Sequence, residues 1–189
     1  MSGSLDTTIK IWTLIAGIEP IKIFTSSPCY CVSFSPDNER ILSGHGDSVL
    51  RIFKIPSASE NKVAIKPLQE IPLNKSAITS IVFSQYSKEN KTFIVNTKDS
   101  RVIMMDATTY KPLKNFENLD YYIYPSISLP VSAGFSLTEH LIIVPSNCAS
   151  IAIFEVSDPE TVYAKDHPEL AKNPLNKGNP LQFCMVQWH

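Results

Sequence analysis

The sequence predicts an all-β repeat protein made of short four-stranded sheets. Three observations predict it. An Asp stands six residues ahead of a large apolar residue in Asp6 to Trp12, Asp47 to Phe53 and Asp99 to Met105, and a fourth copy ends in Phe154 with Cys148 in the Asp place. The closing residues follow one another at steps of 41, 52 and 49 residues. A second mark keeps similar time: Phe34, Phe83, Phe135 and Trp188 close short apolar runs at steps of 49, 52 and 53. Lastly, no stretch has the three-to-four-residue periodicity of a long amphipathic helix. Two signals sharing a period of forty to fifty residues mark a repeat architecture.

The elements follow in order. Ser2-Gly3-Ser4-Leu5-Asp6 reads as a turn leading into the strand Thr8 to Trp12. Ile21 to Phe24 alternates, and Cys31 to Phe34 ends at the turn residues Ser35-Pro36-Asp37-Asn38. Arg40 to Ser43 stops at Gly44-His45-Gly46-Asp47, and Val49 to Phe53 stops before Pro56. These four runs are expected to form one sheet. The order recurs in Leu68–Leu73, Ile78–Phe83, Phe93–Val95 and Arg101–Met105, and again in Lys111–Phe116, Val131–Phe135, Leu141–Val144 and Ile151–Val156. Polar or Pro-rich inserts separate them at Ser57–Lys62, at Asn118–Leu129 with Tyr121, Tyr122 and Tyr124, and at Ser157–Asn179. The expected division is 1–14 as the last strand of a truncated blade, 15–56, 57–108 and 109–156 as blades, 157–180 as a loop insert and 181–189 as the first strand of a further truncated blade. Two uncovered edges would make such a piece prone to aggregate, so the chain is expected to be a fragment or a truncated gene model.

Composition narrows the function. A net charge of −1 offers no whole-chain attraction to nucleic acid or an anionic membrane, so neither nucleic-acid binding nor direct membrane insertion is expected. No apolar run has bilayer-spanning length and no signal segment opens the chain, which points to the cytoplasm. With four cysteines and no secretory signal, reduced thiols are expected. Cys29 and Cys31, two apart in a strand, should share a face as buried thiols, with no metal site.

Ser2-Gly3-Ser4-x-Asp6-x-Thr8-Ile9-Lys10-Ile11-Trp12 and Val32-Ser33-Phe34-Ser35-Pro36-Asp37 resemble the WD40 family. The resemblance implies a WD40 β-propeller fragment of about three full four-stranded blades with partial blades at both ends. A Ser-Gly-Ser…Trp12 blade precedes a Ser43-Gly44-His45-x-Asp47 blade, then an Ile78-Thr79 blade closing in Met104-Met105-Asp106. That order is similar to the C-terminal propeller of the autophagy-related protein 16 family. It implies recruitment of the machinery that lipidates ubiquitin-like proteins, with the chain brought to autophagic or endolysosomal membranes through partners. The family's Gly-His pair ahead of each blade, whose His joins a buried network with Asp, Ser or Thr and Trp, is replaced here by Ser27, Lys75 or Pro130. The full network is therefore not expected, and Asp6, Asp47 and Asp99 should brace their own turns.

Catalytic patterns were weighed against this reading. Ser43, His45 and Asp47 invite a triad, but three residues of one turn are a poor source of converging groups, and no Gly-x-Ser-x-Gly elbow, phosphate loop or His-Glu-x-x-His is present. The expectation is a non-enzymatic protein-interaction scaffold without cofactor or metal. The structural repeat positions are Asp6, Trp12, Asp47, Phe53, Asp99, Met105 and Phe154, with the four closing residues buried between blades. The expected partner face is Leu5, Gly46 and Lys98, each just ahead of a turn Asp, with Tyr30. The alternatives are a general WD40 adaptor in ribosome assembly, cytoskeletal transport or ubiquitin-ligase recruitment, and a propeller hydrolase.

Overall fold

A computed structural model describes residues 1–15, 17–56, 65–73, 76–84, 92–117, 131–136, 139–146 and 151–157. Its strands are β1 (Ser2–Gly3), β2 (Thr8–Ile11), β3 (Ile21–Phe24), β4 (Cys29–Phe34), β5 (Arg40–His45), β6 (Val49–Lys54) and β7 (Gln69–Pro72). They continue as β8 (Ile78–Phe83), β9 (Thr92–Thr97), β10 (Arg101–Asp106), β11 (Pro112–Phe116), β12 (Gly134–Phe135), β13 (Leu141–Pro145) and β14 (Ile151–Glu155). Four sheets result, ordered β1-β2-β3, β4-β5-β6-β7, β8-β9-β10-β11 and β12-β13-β14. There is no helix among the described residues. The chain divides into two compact units, Met1–Ile81 and Val82–His189.

The sheets are offset by one strand from the expected division. β3 pairs with β2 in the register Ile9↔Ile23 and Ile11↔Ile21, and β7 pairs with β6. Thus Ile21–Phe24 completes the sheet before it, and the boundaries at 15, 57 and 109 each fall before the last strand of a sheet rather than after it. A sequence period fixes the spacing of strands but not which neighbours hydrogen-bond. Here the connections decide: β2 returns directly into β3, whereas the segment from Thr25 to Pro28, whose proline has no N–H to donate, carries the chain into a new sheet. Residues 158–180 and 181–189 lie outside the described residues, as do Cys148 and Tyr121, Tyr122 and Tyr124.

In the first unit, alternation along β2 and β3 sends Ile9 and Ile23 inward, to pack with Cys29, Ile41 and Phe53. Lys10 and Lys22 face each other on the opposite side. β1 lies tight against β4, for a Cβ on Gly3 would stand 2.7 Å from Cys29 Sγ. Gly44 is as confined, since a Cβ there would meet Ile78 Cγ2 at 2.4 Å and Cys31 Sγ at 2.5 Å.

The β4–β5 pairing corrects the expectation for the cysteines. A bulge between Cys29 and Cys31 shifts the register, so that Cys29 opposes His45 and Cys31 opposes Gly44. The extra residue cancels the two-residue alternation. Cys29 joins the core shared with β1–β3, and Cys31 Sγ turns toward Gly44 and the Ile78 carbonyl. Both thiols are free.

In the second unit Ile94, Val102, Met104 and Phe116 pack against Ala133, Ile142, Val144, Ala152 and Phe154. The Phe116 and Phe154 rings lie 5.8 Å apart, within the range of favourable aromatic pairs.

One backbone feature repeats. Thr7, Ser48 and Ser100, each the residue after a turn Asp, have φ of 67°, 67° and 66°. Asn38 and Glu139 share φ near 57° in the β4–β5 and β12–β13 turns, where Asn38 N–H donates to Ser35 O and Glu139 N–H to Ser136 O, both at 2.9 Å. The left-handed conformation disfavours side chains with a Cβ, so its recurrence reflects a shared turn geometry rather than composition.

Candidate functional site

The Ser43-Gly44-His45-Gly46-Asp47 turn carries a dense polar network. Ser43 and His45 are two apart on β5 and point to one side, both fully buried. Ser43 Oγ and His45 Nε2 are 2.8 Å apart, and His45 Nδ1 is 3.1 Å from the Ser27 carbonyl oxygen. A carbonyl only accepts, so Nδ1 carries the proton, and the Ser43 hydroxyl donates to Nε2. Burial, first of all, holds the His45 pKa below the usual histidine value, with the nearby Arg51 charge adding to it; the Ser27 carbonyl and Asp47 act the other way. The imidazole is a neutral strut between β5 and the strand-connecting Ser27.

Asp47 does not orient this histidine. Its carboxylate takes a two-pronged contact from Arg51, Nη1 to Oδ1 at 3.1 Å and Nη2 to Oδ2 at 2.6 Å. Arg51 Nε donates to Glu70 Oε1 at 2.7 Å, across the β6–β7 pair, and Nη2 also donates to Ser26 Oγ at 2.8 Å. Burial is the largest single influence and raises the Asp47 pKa, but the Arg51 hydrogen bonds, the Val49 N–H and the Arg51 charge together leave the carboxyl below its ordinary value. Asp47 N–H donates to Ser27 Oγ at 3.1 Å. Ser27, standing where the family places histidine, thus serves both arms of the network. A serine–histidine contact exists, then, but it is sealed from solvent and lacks a carboxylate on Nδ1.

The other Asp turns are simpler. Asp6 Oδ1 accepts from Thr8 N at 3.0 Å and Thr8 Oγ1 at 2.6 Å, and the Thr8 hydroxyl is the first cause of its lowered pKa. Asp99 pairs with Arg101 and accepts from Thr97 Oγ1.

The closing residues divide. Phe53, Met105 and Phe154 are at most 1% exposed and face Ile41, Phe93 and Ile142 in register. Trp12 is 54% exposed, against the expectation of burial. β1 pairs only as far as Ser2↔Lys10, so no inner strand runs beside Trp12 as β5 runs beside Phe53. Its indole N–H donates to Ser2 Oγ at 3.0 Å instead.

Three of the expected partner-face residues share one edge of the first unit. Ser4 O accepts from Cys29 N at 3.0 Å, which places the Leu5 turn beside the start of β4. Gly46 N–H donates to Pro28 O at 3.0 Å, and a Cβ on Gly46 would touch the Tyr30 ring at 3.1 Å. Leu5 and Gly46 are exposed and Tyr30 half-buried. Lys98 is exposed on its own Asp turn in the second unit. Arg51, Glu70 and Ser26 were missed from sequence; an Arg four residues after the turn Asp, opposite a Glu on β7, was the signal available.

Residues 18–54 match the WD40 family, described as WD domain, G-beta repeat. WD repeat-containing protein 82 of Drosophila melanogaster is 22% identical over 172 residues, covering 89% of this chain and 50% of that protein. Autophagy-related protein 16 of Arabidopsis thaliana is 32% identical over 85 residues, 45% of this chain and 15% of that protein. The ribosome biogenesis protein WDR12 homolog of Dictyostelium discoideum is 26% identical over 120 residues, 64% of this chain and 25% of that protein. The chain thus spans half the length of these relatives or less. No described helix is long and apolar enough to cross a membrane. The matched repeat, the recurrent Asp turns and the antiparallel sheets built around them agree: residues 18–54 carry a WD40 repeat, and the described sheets are consistent with a WD40 propeller fragment.

Proposed function

We propose that the chain is a non-enzymatic protein-interaction platform whose partner edge in the first unit carries Leu5, Tyr30 and Gly46. The observation that carries this reading is an exposed, partly aromatic edge standing on a buried and fully bonded base. Ser27, Ser43, His45 and Arg51 hold the turn and the start of β4 from beneath, so the edge is ordered before a partner arrives. Tyr is a frequent anchor of protein interfaces, and loops on a rigid repeat scaffold are where WD40-type proteins vary. Lys98 is the corresponding candidate in the second unit. Burial of Ser43 and His45 argues against the hydrolase alternative, since a substrate carbonyl has no approach to the hydroxyl.

The finer reading is a role like that of autophagy-related protein 16: recruiting ubiquitin-like lipid-conjugation machinery in the cytoplasm and reaching autophagic membranes through it. The blade order and the 32% identity to the Arabidopsis protein support it. The similarity to a ribosome biogenesis protein supports the general-adaptor reading instead. Reciprocal purification of the whole gene product separates them. Retention of purified conjugation-machinery components, lost on Tyr30→Ala with Leu5→Asp, is the expected result. Retention of pre-ribosomal particles with no conjugation component would replace the finer reading and keep the platform.

A further inference from the structure

The connection from β2 to β3 differs from the described connection from β10 to β11. Trp12, Leu14, Ile15 and Ile18 are 54%, 105%, 67% and 53% exposed, in one short tip. Gly17 has φ of +82°, a conformation that tightens the tip and that side chains with a Cβ resist. The equivalent connection from β10 to β11 is polar at Thr108 and Thr109 and folds its one large ring, Tyr110, to 8% exposure. Exposed apolar side chains grouped on one connection mark an interaction site.

Charge indicates what that is. Lys10 and Lys22 are directly opposed across β2 and β3, on the face away from the core and next to the tip. Like charges directly opposite weaken a sheet, and an external anion would relieve the pair. Lys10 Nζ lies 6.0 Å from the Trp12 ring centre. Glu19 is the one acidic residue of the tip. An exposed indole, exposed aliphatic side chains and two lysines close by in sequence are the residue types that a bilayer interface takes up: hydrocarbon, headgroup, phosphate.

We propose that Trp12, Leu14, Ile15 and Ile18 insert into the surface of an anionic phospholipid bilayer, with Lys10 and Lys22 against headgroup phosphates. This departs from the expectation drawn from net charge, which averages a local cationic pair against acidic residues elsewhere. It does not rest on the partner-edge reading, because the tip and the Leu5–Tyr30–Gly46 edge share no residue.

The test uses the whole 189-residue chain with Trp188→Phe, which leaves Trp12 as its only indole. Co-sedimentation and Trp emission are measured with phosphatidylcholine vesicles with and without phosphatidylserine. Binding with a blue shift on the phosphatidylserine vesicles, weakening with salt, is expected. Leu14→Asp with Ile15→Asp should lower the bound fraction about tenfold or more, given what burial of two aliphatic side chains is worth. Lys10→Glu with Lys22→Glu should lower it several-fold and remove the salt dependence. Ile18→Ser is a milder check, and an unchanged melt shows that the variants fold. Absence of vesicle binding by the folded chain, or binding indifferent to the tip variants, overturns the proposal. So does a tip variant that turns an oligomer into a monomer without affecting vesicles, which would assign the tip to self-association.

Discussion

Two Ser-Gly-x-x-Asp turns in the first unit share a sequence pattern and differ in nearly everything else. Around Asp6, the Ser2 hydroxyl accepts from an exposed indole, and the carboxylate serves Thr8 and Ser4 of its own turn. Around Asp47, the Ser43 hydroxyl meets a buried imidazole, and the carboxylate is clasped by an arginine tied to two other elements. The backbone is the same in both, with φ of 67° at Thr7 and at Ser48. The motif therefore specifies the turn, while residues outside the motif decide how firmly that turn is bound to the fold.

The largest expected contrast lies at the strand ends. Phe53→Ala should cost about 3 to 5 kcal/mol, and Trp12→Ala below about 1 kcal/mol, by denaturant unfolding. Equal losses would mean that Trp12 is covered in solution, and the contrast between the two turns would collapse. Next come the glycines. Gly44→Ala should destabilise by about 1 to 3 kcal/mol, because Ile78 is branched at the atom it meets and cannot swing aside. Gly3→Ala should cost less, since it meets the tip of Cys29 and one Val32 methyl.

His45 supplies a pH signature that Ser4, its counterpart in the other turn, cannot. The folded imidazole resists protonation relative to the ordinary value of 6.5, so at lower pH protons bind the unfolded chain preferentially. The His45 contribution is complete above that value and is lost as pH falls through it toward the depressed folded pKa, at no more than about 1.4 kcal/mol per pH unit. Arg51 and Asp47 are the charges that face it and should stay ionised throughout most of that window. In His45→Leu the slope between neutral pH and pH 5 should flatten; an unchanged slope would place the titration elsewhere. The smallest effect is conformational: Ser48→Gly should stabilise by about 0.5 kcal/mol, the relief of a left-handed side chain less the added entropy of the unfolded chain.

Spacing made the strands legible, and the alternation in Ile9-Lys10-Ile11 made their inward faces legible too. Sheet membership was not, because a period has no natural starting point and the choice rests on how Thr25 to Pro28 leaves the sheet. The bulge at Tyr30 was equally hidden, since an inserted residue leaves the composition of a strand unchanged. In the candidate site, Asp47 and the edge residues could be chosen from the turn pattern. The roles of Ser27 and Arg51 needed coordinates: serine in a histidine's place looks like loss until His45 is seen to approach it from the opposite strand.

The same bulge gives β4 a second property. It aims two thiols in different directions, Cys29 into the seam with β1 and Cys31 toward β8. Burial pushes the Cys29 thiol up to about 12 and raises Cys31 as well, so neither reacts at neutral pH while its seam is closed. With Cys148 and Cys184 replaced by Ser, alkylation rates at the two positions become separate clocks. One would time the parting of β4 from β1, the other its parting from β8. A single residue inserted into a strand has thereby given the protein a built-in gauge of which seam opens first.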